Sequence, residues 1–208
     1  QRLGGCGTQT AAMATGGSNP SAVAATELYD GSSWTEVNNL GTGRRAMSLT
    51  GTQTASIVAG GYTGTNVANV ELWDGTNWTE TTDINTARRG GRGSGTPSAS
   101  VLFSGINPTP SKGFTELWNG SSWTEVADLN TARGNGAGSN AGTSTAALLG
   151  GGYTTTWVAN TESWNGSSWT EVSDLNTART DLGGAGTYTA LLAFGGNTTT
   201  NVSNTESW

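Results

Sequence analysis

The sequence predicts an all-β, five-bladed β-propeller whose last blade lacks its outer strand. One phrase recurs along the chain, clearest as Thr161-Glu162-Ser163-Trp164-Asn165-Gly166-Ser167-Ser168-Trp169-Thr170-Glu171-Val172, and its first glutamate falls at positions 27, 71, 116, 162 and 206. Intervals of 44 to 46 residues are those of an array of strand-rich supersecondary units. A short apolar run ending in a glycine pair precedes the phrase, and an Asp-Gly or Asn-Gly sits inside it between two aromatic residues.

Composition agrees with a repetitive fold built from small residues and tryptophan. Glycine accounts for 33 of 208 residues, about twice the usual ~7%. Such a mixture can signal disorder, but disordered tracts do not keep tryptophan in register. Each tryptophan can bury roughly 150–250 Å², an upper bound of about 4–6 kcal/mol by area. The formal net charge is −6, and no basic stripe exists to neutralise phosphates, which disfavours nucleic acid as a partner. No apolar run is long enough for a membrane span. Cys6 is the one cysteine, so no intrachain disulfide forms.

A single domain, 1–208, divides into units 1–44, 45–88, 89–133, 134–179 and 180–208. In each, strand a is glycine-rich, as in Leu182-Gly183-Gly184-Ala185-Gly186. Cys6 falls in the first strand a, where later units align Thr50, Ser94, Ala141 and Ala185, a small packed position. Strand b is a continuous apolar run (55–59, 101–103, 146–149, 190–194), as suits a strand covered on both faces. It ends in Gly16-Gly17, Gly60-Gly61, Gly151-Gly152 or Gly195-Gly196, with Ser104-Gly105 in the third unit. Strand c places Glu71 and Trp73 two apart, and strand d places Trp78 and Glu80 two apart, so each pair shares a face. The intervening Asp-Gly or Asn-Gly is a strong hairpin signal, compatible with a two-residue or a four-residue loop. No segment has a capped helical period. The fifth unit stops at strand c, so its sheet is expected to be three-stranded, or completed by a strand from another chain or from sequence beyond the residues given.

Gly60-Gly61, Trp73, Trp78 and Arg88, and likewise Gly151-Gly152, Trp164, Trp169 and Arg179, resemble the kelch repeat over essentially the whole chain. The resemblance implies four-stranded antiparallel blades around a central channel, of the kind found in galactose oxidase. Strand c departs from it, carrying Trp where kelch usually has Tyr, as only Tyr29 does. The near-identity of the units also resembles amplified propeller arrays of phage and bacterial surface proteins.

The repeated Arg44, Arg88, Arg133 and Arg179 read either as an anion-binding ring or as inter-blade fasteners bonding carbonyls or the repeated glutamates; the fastener reading is preferred because arginine suits partly buried, multi-donor roles. Paired glutamates invite a glycosidase reading, but catalysis needs carboxylates made unlike by environment, and repetition makes them alike. Asp83, Asp128 and Asp174 could ligate calcium, yet recur in an Asp-(Leu/Ile)-Asn-Thr-Ala-Arg phrase suited to capping a turn. The chain has no histidine, which removes histidine-based nucleophile systems and the usual ligands of zinc and copper. No cofactor, metal or enzymatic activity is expected.

Non-repeating residues cluster in the b–c loops and d–a turns, and loops on a rigid scaffold are where binding residues sit. The candidates are Trp157 and Tyr153, Tyr62, Arg45, Arg89, Arg92 and Lys112, with the segments 18–20 and 107–112 beside them. A loop tryptophan can stack on a sugar or anchor a protein, or fold back over the glycine pair. The expected function is a non-catalytic binding module recognising a carbohydrate or protein through top-face loops, in an extracellular or virion-surface assembly. The alternative is a structural or decoration propeller with no diffusible ligand.

Overall fold

The computed structural model describes residues 2–107 and 111–208. It contains five antiparallel sheets and no helix among these residues, so no helix is long and apolar enough to cross a membrane. Blade 1 is β1 (Gly4–Thr8), β2 (Ala11–Thr15), β3 (Thr26–Tyr29) and β4 (Trp34–Val37). Blade 2 is β5 (Ser48–Gly51), β6 (Ser56–Ala59), β7 (Val70–Trp73) and β8 (Trp78–Thr81). Blade 3 is β9 (Arg92–Thr96), β10 (Ala99–Phe103), β11 (Thr115–Trp118) and β12 (Trp123–Glu125). Blade 4 is β13 (Ala137–Gly138), β14 (Ala147–Tyr153), β15 (Trp157–Trp164) and β16 (Trp169–Val172). Blade 5 has β17 (Gly183–Thr187), β18 (Ala190–Phe194) and β19 (Thr205–Ser207), three strands among the described residues.

The c–d hairpin has the four-residue loop. Trp73 lies directly opposite Trp78, and Glu71 opposite Glu80. In blade 1 the loop is Asp30-Gly31-Ser32-Ser33, held by Asp30 Oδ1 accepting the Ser32 and Ser33 amides at 2.8 and 2.9 Å. Gly31 has φ 97°, a conformation that glycine adopts without steric cost. The loop folds the paired aromatics onto one another: ring centroids are 5.3 Å apart in Trp73–Trp78 and 5.5 Å in Trp164–Trp169.

The apolar core lies between blades rather than inside them. One cluster joins Met13 of blade 1 to Leu49, Val58 and Trp73 of blade 2; the next joins Ile57 to Leu102 and Trp118; a third joins Phe103 to Leu149 and Trp164; a fourth joins Leu148 to Leu191 and Ala193. Strand b is buried on both faces in blade 2 and along Ser100–Phe103 of blade 3, as the continuous apolar runs predict. In blade 5 it alternates, with Leu191 and Ala193 buried and Leu192 and Phe194 exposed, because no sheet covers its far face. In blade 4, strand a shrinks to two residues. Ser139, not Ala141, occupies the small position there, its amide donating to Leu148 O at 3.1 Å.

Each of the four boundaries between blades consecutive in the chain is locked by a buried ion pair. Arg44 pairs with Glu71 at 3.0 Å, Arg88 with Glu116, Arg133 with Glu162, and Arg179 with Glu206 at 2.6 Å, each arginine reaching from one blade to strand c of the next. Arg133 also donates to Gly151 O, Leu149 O and Thr131 O. Desolvation draws Arg44, Arg88 and Arg133 below the usual arginine range, and the facing glutamates oppose that pull. The fastener reading therefore holds, and the anion-ring reading is set aside: these guanidiniums are fully buried.

The glycine pair makes room for this lock. A Cβ on Gly60 would meet Arg88 O at 2.6 Å, and one on Gly61 would meet the Arg44 side chain at 3.2 Å. The Gly61 amide donates to Arg88 O at 2.8 Å. Ser104 occupies the first of these positions in blade 3 with φ 62°, buried and with its hydroxyl unpaired.

Two stability predictions follow from the lock. Arg133→Met is expected to cost about 3–5 kcal/mol by stranding Glu162, and Arg133→Met/Glu162→Leu to recover most of it; denaturant melts measure both. Ser104→Gly relieves a left-handed conformation costing roughly 1–2 kcal/mol and removes an unpaired hydroxyl. Against the greater flexibility of glycine in the unfolded chain, a net gain of about 1 kcal/mol is expected, raising the melting point by ~2–4 °C.

Candidate functional site

The b–c connections and d–a turns meet on one face, tied by reciprocal backbone bonds. Arg45 N donates to Tyr62 O at 3.1 Å and Tyr62 N to Arg45 O at 2.9 Å; the pairs Arg89/Ile106, Gly134/Tyr153 and Thr180/Asn197 repeat the pattern. The residue after each of these turn positions lines the axis. Arg2, Ala46, Asn135 and Asp181 all have positive φ, between 54° and 63°, as does Gly90 at 68°. Ala46 N donates to Arg2 O, Gly90 N to Ala46 O and Asn135 N to Gly90 O, so consecutive blades are strung into a collar. The Arg2 guanidinium meets Asp181 at 3.0 Å, joining blade 1 to blade 5 across the collar.

Two hollows open beside the collar. The first, about 360 Å³, is lined by Arg2, Ser18, Arg45, Tyr62 and Arg89. The Arg45 and Arg89 guanidiniums lie 5.1 and 4.8 Å from the centroid of the Tyr62 ring. Arg89 donates to Asn66 Oδ1 at 3.0 Å, and Asn66 in turn donates to Ile106 O at 2.9 Å. Arg45 and Arg89 take part in no ion pair among the described residues, so their charge is available to an anion. Guanidinium forks suit planar oxyanions such as carboxylate or sulfate.

The second hollow, about 640 Å³, is lined by Trp157, Tyr153, Thr155, Arg89, Asn135 and Asp181, among others. Trp157 is not in a loop: β14 and β15 run past the glycine pair as a bulged hairpin in which Tyr153 lies opposite Trp157. Both residues are 38% exposed and lie opposite one another on the hairpin. Arg89 borders both hollows, joining the aromatic pair to the arginine–tyrosine cluster.

The remaining candidates are placed elsewhere. Arg92 is the first residue of β9, not part of a turn. Its guanidinium donates to Gly136 O at 2.7 Å and Leu182 O at 3.2 Å, tying blade 3 to blades 4 and 5, and burial draws it down to about 10. Lys112 lies 5.8 Å from the Phe114 ring, outside both hollows. Within the segment 107–112, residues 108–110 lie outside the described residues.

Several of the repeated carboxylates are committed to the scaffold. Glu162 accepts from the Asn130 amide and side chain as well as from Arg133. Asp128 and Asp174 accept from the amides that open strand c, Thr115 at 3.3 Å and Thr161 at 3.0 Å. No cluster of metal-ligating side chains occurs among the described residues. The Cys6 thiol is buried and pushed up to about 12 by desolvation.

Arg2, Asn66, Asn135 and Asp181 were not singled out by the sequence. The collar positions recur at the repeat period but carry Arg, Ala, Gly, Asn and Asp, so no side chain repeats. Their shared property is backbone conformation, hinted at only by the tolerance of Gly, Asn and Asp for positive φ.

The molecule is thus a five-bladed β-propeller with a cationic and aromatic top face. No protein-family model and no curated protein matches the sequence. Among solved structures, it is similar to that of YjhT, with a TM-score of 0.81 at 12% sequence identity, over 99% of this chain and 80% of that one. At that identity the likeness concerns the fold.

Proposed function

We propose that the protein is a non-catalytic binding module of kelch-like repeats that recognises an acidic carbohydrate, or a protein presenting such a group, through its top face. The observation that carries this reading is that Arg89 borders both the hollow of the exposed Trp157–Tyr153 pair and the neighbouring hollow that holds Arg45. Aromatic faces stack on the apolar side of a sugar ring, and the guanidiniums complement a carboxylate or sulfate. The hollow volume falls in the range of small-ligand sites. An extracellular or virion-surface setting fits a scaffold whose units are nearly identical and whose variation is concentrated in its loops.

A structural role within a larger assembly is the second reading.

A glycan array that includes uronic, sialylated and sulfated sugars tests the first reading. Saturable binding to an acidic glycan is expected, weakened at least tenfold (~1.4 kcal/mol) by Trp157→Ala and by Arg89→Ala. Trp157→Ala should leave stability within about 0.5 kcal/mol of the parent, as for an exposed position, whereas Arg89→Ala gives up the Asn66 hydrogen bond and should cost about 0.5–1.5 kcal/mol. No acidic-glycan binding, or binding indifferent to both substitutions, would overturn it.

A further inference from the structure

The blade lock accounts for Arg44, Arg88, Arg133 and Arg179, each buried against a glutamate. Arg92 is held differently. It opens β9, where the other blades open strand a with Gly4, Ser48, Ala137 and Gly183, so the repeat itself has no use for a guanidinium at this point. Blade 4 makes room for it: a Cβ on Gly138 would meet the Arg92 stem at 2.7 Å. Three carbonyls hold the head, Gly136 O at 2.7 Å and Gly91 O and Leu182 O at 3.2 Å. Carbonyls carry no net charge, and Arg92 enters no ion pair among the described residues. A guanidinium has five N–H donors, more than these carbonyls use.

Arg92 lines a hollow of about 250 Å³ inside the collar, with Arg2, Ala46, Gly90, Asn135 and Asp181 around it. The Asn135 side chain lies over Gly90, in the space a Cβ there would take. Arg92 is only partly buried, so its charge can be reached from this hollow. The hollow holds two guanidiniums and one carboxylate, and that carboxylate, Asp181, lies 3.0 Å from Arg2. One positive charge is left without a counter-ion. Desolvation draws Arg92 down to about 10, with Asp181 opposing the pull and Arg2 adding to it, so the group stays cationic at neutral pH.

We infer that the collar hollow is a binding site for one small oxyanion, of the carboxylate or sulfate class, seated on Arg92 and Arg2 beside Asn135. The ion supplies on the axis the negative charge that a glutamate supplies at each lock. A guanidinium fork pairs with two oxygens of such a group. The oxyanion arrives free or as the acidic group of a larger top-face ligand, because the hollow shares Arg2 with both of its neighbours. Neither Trp157 nor Arg89 lines it, so the site stands or falls apart from the glycan reading.

Inorganic sulfate titrated into the nitrogen-labelled full chain, with sodium chloride at equal ionic strength as the control, tests this by NMR. Saturable shifts are expected at the amides of Gly90, Asn135 and Asp181 and at the Arg92 Nε–H. Asp181→Asn removes the carboxylate that competes for Arg2 and keeps a residue tolerant of positive φ, so it should tighten sulfate binding about threefold. An arginine with a purely structural role would show no such gain. Arg92→Met should weaken binding roughly tenfold; if it fails to fold, Asp181→Asn decides alone. A uronic monosaccharide added to the sulfate-bound protein separates the two sources: displaced sulfate assigns the oxyanion to a larger ligand, and retained sulfate assigns it to a free ion. Absence of saturable shifts, shifts centred on Tyr62 instead, or an Asp181→Asn protein that binds no more tightly than the parent would overturn the inference.

Discussion

The buried arginine–glutamate pair between neighbouring blades is the constraint on which the rest of the structure depends. A guanidinium and a carboxylate removed from water cost several kcal/mol each unless they meet each other and further polar partners. The chain meets that condition by geometry. The glycine pair clears space for the arginine stem, strand c carries the glutamate at a fixed offset, and the d–a turn aims the arginine across the boundary. With those groups fixed, the tryptophan pairs have one place to go, against the preceding sheet, and the apolar clusters form there. The pairs make poor evidence for raw stability, but they specify which face of each sheet meets its neighbour.

This division of labour frees the top face. Because the fasteners are buried, the turn residues beyond them carry no scaffold duty of their own, and Arg45 and Arg89 sit in the position that follows a framework arginine. The backbone bonds to Tyr62 and Ile106 hold those turns in place whatever side chain they bear. Blade 4 adds the hairpin that carries Trp157, and Arg89 lies where the two surfaces meet.

Much of the fold was legible in the sequence, because the period, the apolar run and the Asp-Gly or Asn-Gly hairpin each report a local backbone state that the repeat copies. The three-stranded fifth sheet was legible for the same reason. What stayed hidden depends on contacts across units. The c–d loop length follows from Trp73 stacking on Trp78, which period-2 spacing permits but does not require. Trp157 read as a loop residue because it lies beyond the glycine pair that closes strand b; the hairpin instead continues through a bulge between Gly150 and Gly152 to include it. Arg92 looked like a turn residue beside Gly90 and Gly91, but its partners are carbonyls of two other blades. The collar is a pattern of φ angles rather than of side chains, so aligning the units did not reveal it.

Amide hydrogen exchange resolved by strand tests most directly the claim that the core lies between blades. Cooperative protection tracks local burial. The account predicts the slowest exchange in β6, β10 and β14, which are covered on both sides, and markedly faster exchange in β17–β19 and β4, which border the open boundary. Uniform protection across all five sheets, or greatest protection in blade 5, would contradict it.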